Sequence, residues 1–486
     1  MIIEMTGSRV LAPSLGSSLI VWTSLIGIIL ASISIGAWLG GCLADQQPHP
    51  RVLGRIILLA SWATAAIGLS KTWVLATLQN FGDLQIASVT AACALFAPAA
   101  LLLGMVPPFA IRLCLPDHRH SGRISGSIYA ISSIGSIVGT FLAGFVLIAW
   151  VGSTAILFVT AVLLGLASWL VNTEDNLLKG TSVILFLLFL YISYQQKQWC
   201  GQQGFYDYDT PYNRVLIYTS KENSSDRLTR EMVTGPLGRQ SAMYLDSPTE
   251  LVLPYTHFFR LFEYYQPQTK RMLVLGGGGY SFPKYALSRY ADISIDVVEI
   301  DSEITQLARQ HFGLSDHERL RLIEEDARMF LKKVRNPYDV IICDVFNSHY
   351  SIPFHLVTAE AMQLLRNATK PDGVILINLL ASINGIASEF YKTMRATVSR
   401  VFPMTHSFAV TNPDDDNLWQ NIILAAGCRL PAAAPADPDL VKMFRHKLPD
   451  LPDTHLLFTD DYAPVERMLR QGRITREEMH KDNPKN

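Results

Sequence analysis

The chain has 486 residues, a formal net charge of −1, 17% charged residues and 49% hydrophobic ones. That length allows two or three domains, and the near-neutral charge offers no basic surface for nucleic acid. The charge is unevenly spread, with only 14 of the 83 charged residues in positions 1–195, so the first two fifths cannot be an ordinary water-facing domain.

Residues 1–15 contain Glu4 and Arg9, which rules against a cleavable leader and predicts a truncated or re-entrant helix. No Asp, Glu, Lys or Arg occurs in 10–44, 56–70, 84–111, 124–173 or 181–196. About 20 apolar residues are needed to cross a hydrocarbon core about 30 Å thick. Residues 17–43, 56–74, 84–111, 124–150 and 154–171 meet that need, whereas 181–194 is short and reads as interfacial. Gly36 and Gly40, and again Gly135, Gly139 and Ala143, place small residues four apart, a spacing that lets helix backbones approach closely in lipid. Arg51 and Arg55 mark one cytoplasmic loop and Arg112, Arg119 and Arg123 another, with residues 71–83 as the intervening outer loop. Five spans put the following domain in the cytoplasm, and a sixth at 181–194 would put it outside. The spans show no interior charged residue, which weighs against a transport pathway. The cysteines at 42, 93, 114, 200, 343 and 428 form no C-x-x-C pair, so neither a zinc site nor a disulfide framework is indicated.

Residues 195–209 are polar and read as a linker. RVLIYTS and the stretch to Pro254 read as a small β-rich segment lying over a pocket. Residues 272–275 form a short apolar strand, 276–279 are four glycines that let a ligand approach the backbone, and 281–290 are predicted helical. Glu299 ends the next strand, 23 positions after Gly276, near the offset at which a carboxylate meets ribose hydroxyls in adenosyl sites. Asp326 ends the third strand and starts a helix, where it can cap that helix or accept from an adenine amino group. Asp344 closes the fourth strand, YDVIICD; Cys343 before it reads as core. NSHYSIPFHLVT is a loop on the ligand-facing edge, so His349, Tyr350 and His355 are candidates to shape an acceptor pocket. PDGVILINLL is the fifth strand, and FAVT with NIILAAG completes the sheet as an antiparallel pair. Asp414–Asp416 reads as a solvated turn. LFTDDYAPVERML brings Asp460, Asp461 and Glu466 together, either as a helix start before Pro464 or as acids for a cationic ligand.

On these motifs the carboxy-terminal half resembles the spermidine synthases, aminopropyltransferases built on a methyltransferase-like Rossmann fold. The whole chain resembles the variant in which that domain follows a multi-helix membrane region. The fold implied is an α-helical transmembrane bundle (1–195), a linker and small β-rich domain (196–265), an α/β Rossmann-like, methyltransferase-type domain (266–470) and a polar tail (471–486). By the same resemblance Gly276, Gly277, Gly278, Glu299 and Asp326 would bind the cofactor, with Glu299 on the ribose and Asp326 on the adenine edge. Asp344 would activate the attacking amine, and Gln240, Tyr255 and Asn347 would contact it, with Asp460 and Asp461 as further acids. The family's glycine run continues with an aspartate where this chain has Gly279 and Tyr280, and its second aspartate after the fourth strand is here Asn347. Both replacements remove negative charge that would attract and orient an ammonium.

The reaction implied is transfer of an aminopropyl group from decarboxylated S-adenosylmethionine to putrescine or a related amine, with no metal. The alternatives are an S-adenosylmethionine-dependent methyltransferase acting on a membrane-associated or amine acceptor, and a non-enzymatic transporter or sensor. The partners implied are the small-molecule amine, the lipid bilayer and a second copy of the chain in a homo-oligomer. The location implied is the cell membrane, multi-pass, with the adenosyl site in the cytoplasm where such cofactors are made.

Overall fold

The computed structural model describes residues 1–16, 18–78, 84–115, 121–148, 152–172, 176–222, 226–234, 239–345, 353–385, 388–429, 431, 435–450 and 456–469. The chain divides into two compact units, Met1–Val215 and Leu216–Asn486.

The first unit is helical. Its helices are α1 (Ile2–Leu15), α2 (Leu19–Gln46), α3 (Pro50–Leu78), α4 (Leu84–Leu95), α5 (Ala97–Cys114), α6 (Ser121–Leu142, extended by a π turn at Ala143–Leu147), α7 (Ser153–Val171) and α8 (Asn176–Gln202), followed by a short strand β1 (Tyr206–Asp209). Five of these segments, α2, α3, α5, α6 with its π turn, and α7, are long and apolar enough to cross a membrane. The predicted span 84–111 is two helices, because the chain turns at Phe96 and Pro98 sits in the first turn of α5, where its missing N–H costs nothing. The short segment expected at 181–194, and most of the polar linker after it, belong to the single helix α8, because the flanking polar residues continue the helical hydrogen bonding.

The two small-residue stripes behave differently. A Cβ at Gly36 would lie 2.0 Å from the Leu101 carbonyl oxygen and one at Gly104 only 2.4 Å from that of Ile33, so α2 and α5 touch backbone to backbone. Added at Gly135, a Cβ meets nothing within 4 Å, and at Gly139 it meets only the Ile2 side chain of α1, at an ordinary 3.4 Å, so the two glycines of the second stripe make no backbone-to-backbone approach among the described residues. The outer loop expected to begin at residue 71 starts later. Helix α3 carries Lys71 inside, where it is buried and donates to Thr154 Oγ1 at 2.6 Å. The bundle therefore does contain an interior charge: α3 runs two turns past its charge-free stretch, and Thr154 on α7 gives the ammonium a partner away from water.

The second unit holds the remaining strands. β2 (Arg214–Lys221, whose first two residues precede the division), β3 (Leu228–Val233) and β4 (Ser241–Tyr244) pair antiparallel in sequence order. A turn of helix, α9 (Pro254–Phe258), leads to the larger sheet. That sheet contains β5 (Arg271–Leu275), β6 (Ser294–Glu299), β7 (Leu320–Glu324), β8 (Tyr338–Cys343), β9 (Thr369–Ala381), β10 (Met404–Ala409) and β11 (Gln420–Gly427) in the order β10-β11-β9-β8-β5-β6-β7. β9, β8, β5, β6 and β7 are parallel, and β11 and β10 are antiparallel, as the FAVT and NIILAAG segments predict.

Helices α10 (Ser281–Arg289), α11 (Ser302–His311), α12 (Ala327–Leu331), α13 (Ala359–Ala368) and α14 (Glu389–Val401) cross between the strands. β8 is buried along its whole length, which is why VIIC at 340–343 reads as a continuous apolar run rather than an alternating one, while the buried Asp339 before it accepts from Lys370 Nζ at 2.6 Å. The Pro371-Asp372-Gly373 turn is absorbed into the start of β9 as a register shift against β8. Strand order reverses between β5 and β8, so the crevice at their carboxyl ends is the place where such a sheet holds a ligand.

Candidate active site

The crevice is built from the glycine turn outward. Leu275 stands in register with Cys343, so the next residues on each strand, Gly276 and Asp344, meet at the strand ends. Gly276 has φ +93°, and a Cβ there would lie 2.1 Å from the Asp344 carbonyl oxygen. Only glycine satisfies both the left-handed backbone and that approach. The turn is then tied down group by group. Glu299 Oε2 accepts from Gly277 N at 2.8 Å and from Gly278 N at 3.4 Å, while its Oε1 accepts from Asp301 N at 3.0 Å. Removal from water raises the Glu299 carboxyl above its ordinary range, and these backbone donors oppose the rise.

Ser241, the first residue of β4, accepts from Gly279 N through its Oγ at 2.8 Å. It also fills the space a side chain at 279 would need, because a Cβ there would stand 2.8 Å from Ser241 Cβ. Packing against β4 thus accounts for glycine at the position where the resembling family carries an aspartate. Tyr280 adopts the left-handed conformation at φ 54°, its ring is fully buried, and its hydroxyl lies 2.7 Å from Thr305 Oγ1.

Asp344 is the acid at the centre. Tyr255 of α9 donates to its Oδ2 at 3.0 Å and Asn378 of β9 donates to its Oδ1 at 3.0 Å. The Asp344 carboxyl is raised by its removal from water, and the Asn378 and Tyr255 hydrogen bonds oppose that rise. Burial and the neighbouring carboxylate push the Tyr255 hydroxyl well above its usual range, which keeps it a donor. The adjacent Cys343 thiol is buried and pushed up to about 12, so it is an inert core group. The Gln240 carbonyl oxygen is 3.4 Å from the Tyr255 hydroxyl, and Gln240 Oε1 is a buried acceptor with no hydrogen-bond partner among the described residues.

The other sequence-selected residues divide in two. Asp326 caps α12 by accepting from Met329 N at 2.9 Å, and its Oδ2 lies 3.4 Å from His355 Nε2. Asp460 is engaged elsewhere: Arg328 Nη1 donates to its Oδ1 at 2.8 Å, and Thr358 Oγ1 donates to the same oxygen at 2.7 Å. The arginine holds the Asp460 carboxyl down at about 2. Asp460 therefore joins α12 to the start of α13, and Asp461 beside it is exposed. Asp415 caps its own turn by accepting from Asn417 N and Leu418 N, each at 3.1 Å. Asn347, His349 and Tyr350 lie outside the described residues.

Sequence reasoning missed Ser241, Tyr280, Asn378 and Asn421. Asn378 carried a usable signal, because it is the one polar residue in the run VILINLLA. A buried amide in an apolar strand needs a partner, and here the partner is Asp344.

Residues 259–429 match the family model of the spermine/spermidine synthase domain. A polyamine aminopropyltransferase of Vibrio vulnificus is 29% identical over 175 residues, which cover 35% of this chain and 56% of the relative. An eEF1A lysine and N-terminal methyltransferase of Bos taurus is 27% identical over 184 residues, which cover 36% of this chain and 25% of that protein. This chain spans about half the length of the first of these relatives. Among solved structures, a probable spermidine synthase from Corynebacterium glutamicum aligns with a TM-score of 0.42 and 22% identity, over 50% of this chain and 86% of that one.

Proposed function

We propose, from the match of residues 259–429 to that synthase domain and from the surroundings of Asp344, that the protein is a membrane-anchored aminopropyltransferase using decarboxylated S-adenosylmethionine and a small amine. The observation that carries this reading is the half-buried Asp344 carboxylate at the switch point, held by Tyr255 and Asn378 beside the glycine turn. The acceptor amine attacks the cofactor carbon next to the sulfonium. A C–N bond forms, the C–S bond breaks with its electron pair passing to sulfur, and the proton leaves nitrogen for Asp344. Gln240 Oε1, a buried acceptor with no donor among the described residues, suits an ammonium or amine N–H. Glu299 and the glycine turn suit the ribose, and Asp326 the adenine edge. In this reading the five apolar helices anchor the enzyme in the cell membrane with the second unit in the cytoplasm.

The state of the glycine turn favours the decarboxylated cofactor over the intact one. Gly277 and Gly278 N–H are directed at Glu299 and Gly279 N–H at Ser241, so a carboxylate tail would find these backbone donors already taken. A tail that ends only in an ammonium asks nothing of them. Titration calorimetry of the full chain with the two sulfonium compounds is therefore expected to show the decarboxylated one binding at least tenfold more tightly. Tight binding of intact S-adenosylmethionine alone would instead establish the methyltransferase reading.

Glu299→Gln places an amide donor where two or three backbone N–H groups now point at an acceptor. A mispaired buried group costs about 1–3 kcal/mol, so the Kd for the decarboxylated cofactor is expected to rise about tenfold or more, with kcat at saturation changed far less. A Kd equal to that of the parent would remove Glu299 from the cofactor site.

A further inference from the structure

Behind Asp344 lies a second polar residue that neither the motifs nor the reaction requires. Asn378 is 4% exposed, in the middle of β9, and its Nδ2 donates to Asp344 Oδ1 at 3.0 Å. Its own Oδ1 accepts from Asn421 Nδ2 at 2.9 Å, and Asn421 stands on the next strand, β11. An amide can present either its N–H or its carbonyl to a neighbour, and the two orientations have nearly the same shape. Asn421 decides between them. By donating to Asn378 Oδ1 it turns the N–H face of Asn378 toward Asp344, where only a carboxylate oxygen is a good partner.

We propose that Asn421, acting through Asn378, fixes the Asp344 carboxylate in place and in its proton-accepting form. Both asparagines are positioning residues, with neither touching the reacting atoms. This inference rests on the reading of Asp344 as the base of the proposed transfer. The titratable groups facing Asp344 among the described residues are Tyr255 from α9 and Cys343 from its own strand. β5 and β9 present Gly276 and Asn378, which do not titrate. Tyr255 supplies one donor to Asp344 Oδ2, so among the described residues Asn378 is the donor that holds Oδ1.

The test follows Asp344 itself. In pH-difference infrared spectra of the full chain, the carboxyl band missing from Asp344→Asn identifies this residue. Loss of a donor to the ionised form favours the proton, so in Asn378→Leu the midpoint of that band is expected to move up by about one pH unit, a tenfold gain in proton affinity. Asn421→Leu leaves the contact with Asp344 in place but frees the Asn378 amide to turn, and a shift of the same sign, about threefold, is expected. Should Asn378→Leu fail to accumulate, Asn421→Leu carries the test alone. In transfer assays the acidic limb of the rate profile should move with the same midpoint. Unmoved midpoints in the folded variants would overturn the relay. A parent chain that shows these shifts with both variants yet transfers no aminopropyl group would overturn the proposed function and leave the relay standing.

Discussion

Asp344→Asn is expected to lower kcat for aminopropyl transfer by about 10³-fold or more, because a positioned base contributes up to about 10⁴ and the amide has no proton-accepting oxygen of comparable strength. The Kd for the cofactor should stay within a few fold of the parent, since Glu299 and the glycine turn, which suit the nucleoside, remain in place. The fold should survive as well. The new amide can accept from Asn378 Nδ2 through its own carbonyl oxygen and donate its N–H to the Tyr255 hydroxyl, which can turn to the Gln240 carbonyl oxygen 3.4 Å away, so no buried group is left without a partner.

The pH dependence follows from the direction of the shift. The native state holds the Asp344 proton more tightly than the unfolded chain does, because the carboxyl is raised by its removal from water. The stability associated with that proton is full below the ordinary carboxylate range and is lost as pH rises through the raised value. At neutral pH the ionised acid is thus a small cost to the fold, kept for chemistry, and Asp344→Asn should melt no lower than the parent. Activity runs the opposite way, falling as pH drops through the same value. Steady-state rates with both substrates saturating, together with calorimetry, check the separation. A variant that keeps its kcat would remove Asp344 from the reaction.

Gly276→Ala is expected to cost about 3 kcal/mol or more of stability and to abolish cofactor binding. Two penalties coincide at this residue. An alanine at φ +93° is strained by about 1–3 kcal/mol, and its Cβ would stand 2.1 Å from the backbone oxygen of Asp344, just past the end of β8, which cannot swing aside as a side chain could. Relief requires β5 and β8 to part at the point where both the glycine turn and Asp344 are hung. Gly135→Ala on α6 is the control, because its Cβ meets nothing within 4 Å. Thermal melts of the two variants in detergent, read beside cofactor calorimetry, should differ by this large margin. Equal melts would show that the turn can relax without losing register.

Much of this was legible in the chain. Apolar runs bounded by glycine and acids marked β5, β6 and β8, and the two short apolar runs FAVT and NIILAAG marked the antiparallel pair, because apolar runs and turn chemistry are local properties. Long stretches free of charge marked most of the apolar helices for the same reason. Helix α8 and the place of Lys71 were harder. Residues at a helix end stay helical or leave according to their neighbours, and a lysine is inside or outside according to whether something like Thr154 faces it.

The role of Asp460 was likewise invisible, because its choice between Arg328 and a ligand depends on a contact between distant parts of the chain. Asn378 showed only as an oddity in an apolar run. Its meaning needed β9 to lie beside β8 and β11 on its other side. What the amino-acid order determined by itself is the set of parts: apolar helices, a glycine turn, and acids at strand ends, each encoded by residues within a few positions of one another. The folded sheet decided which parts meet. Gly276 and Asp344 face each other, and Tyr255 and Asn378 close on the acid, because strand order and register set hydrogen bonds between residues far apart in the chain, and no local pattern carries that register.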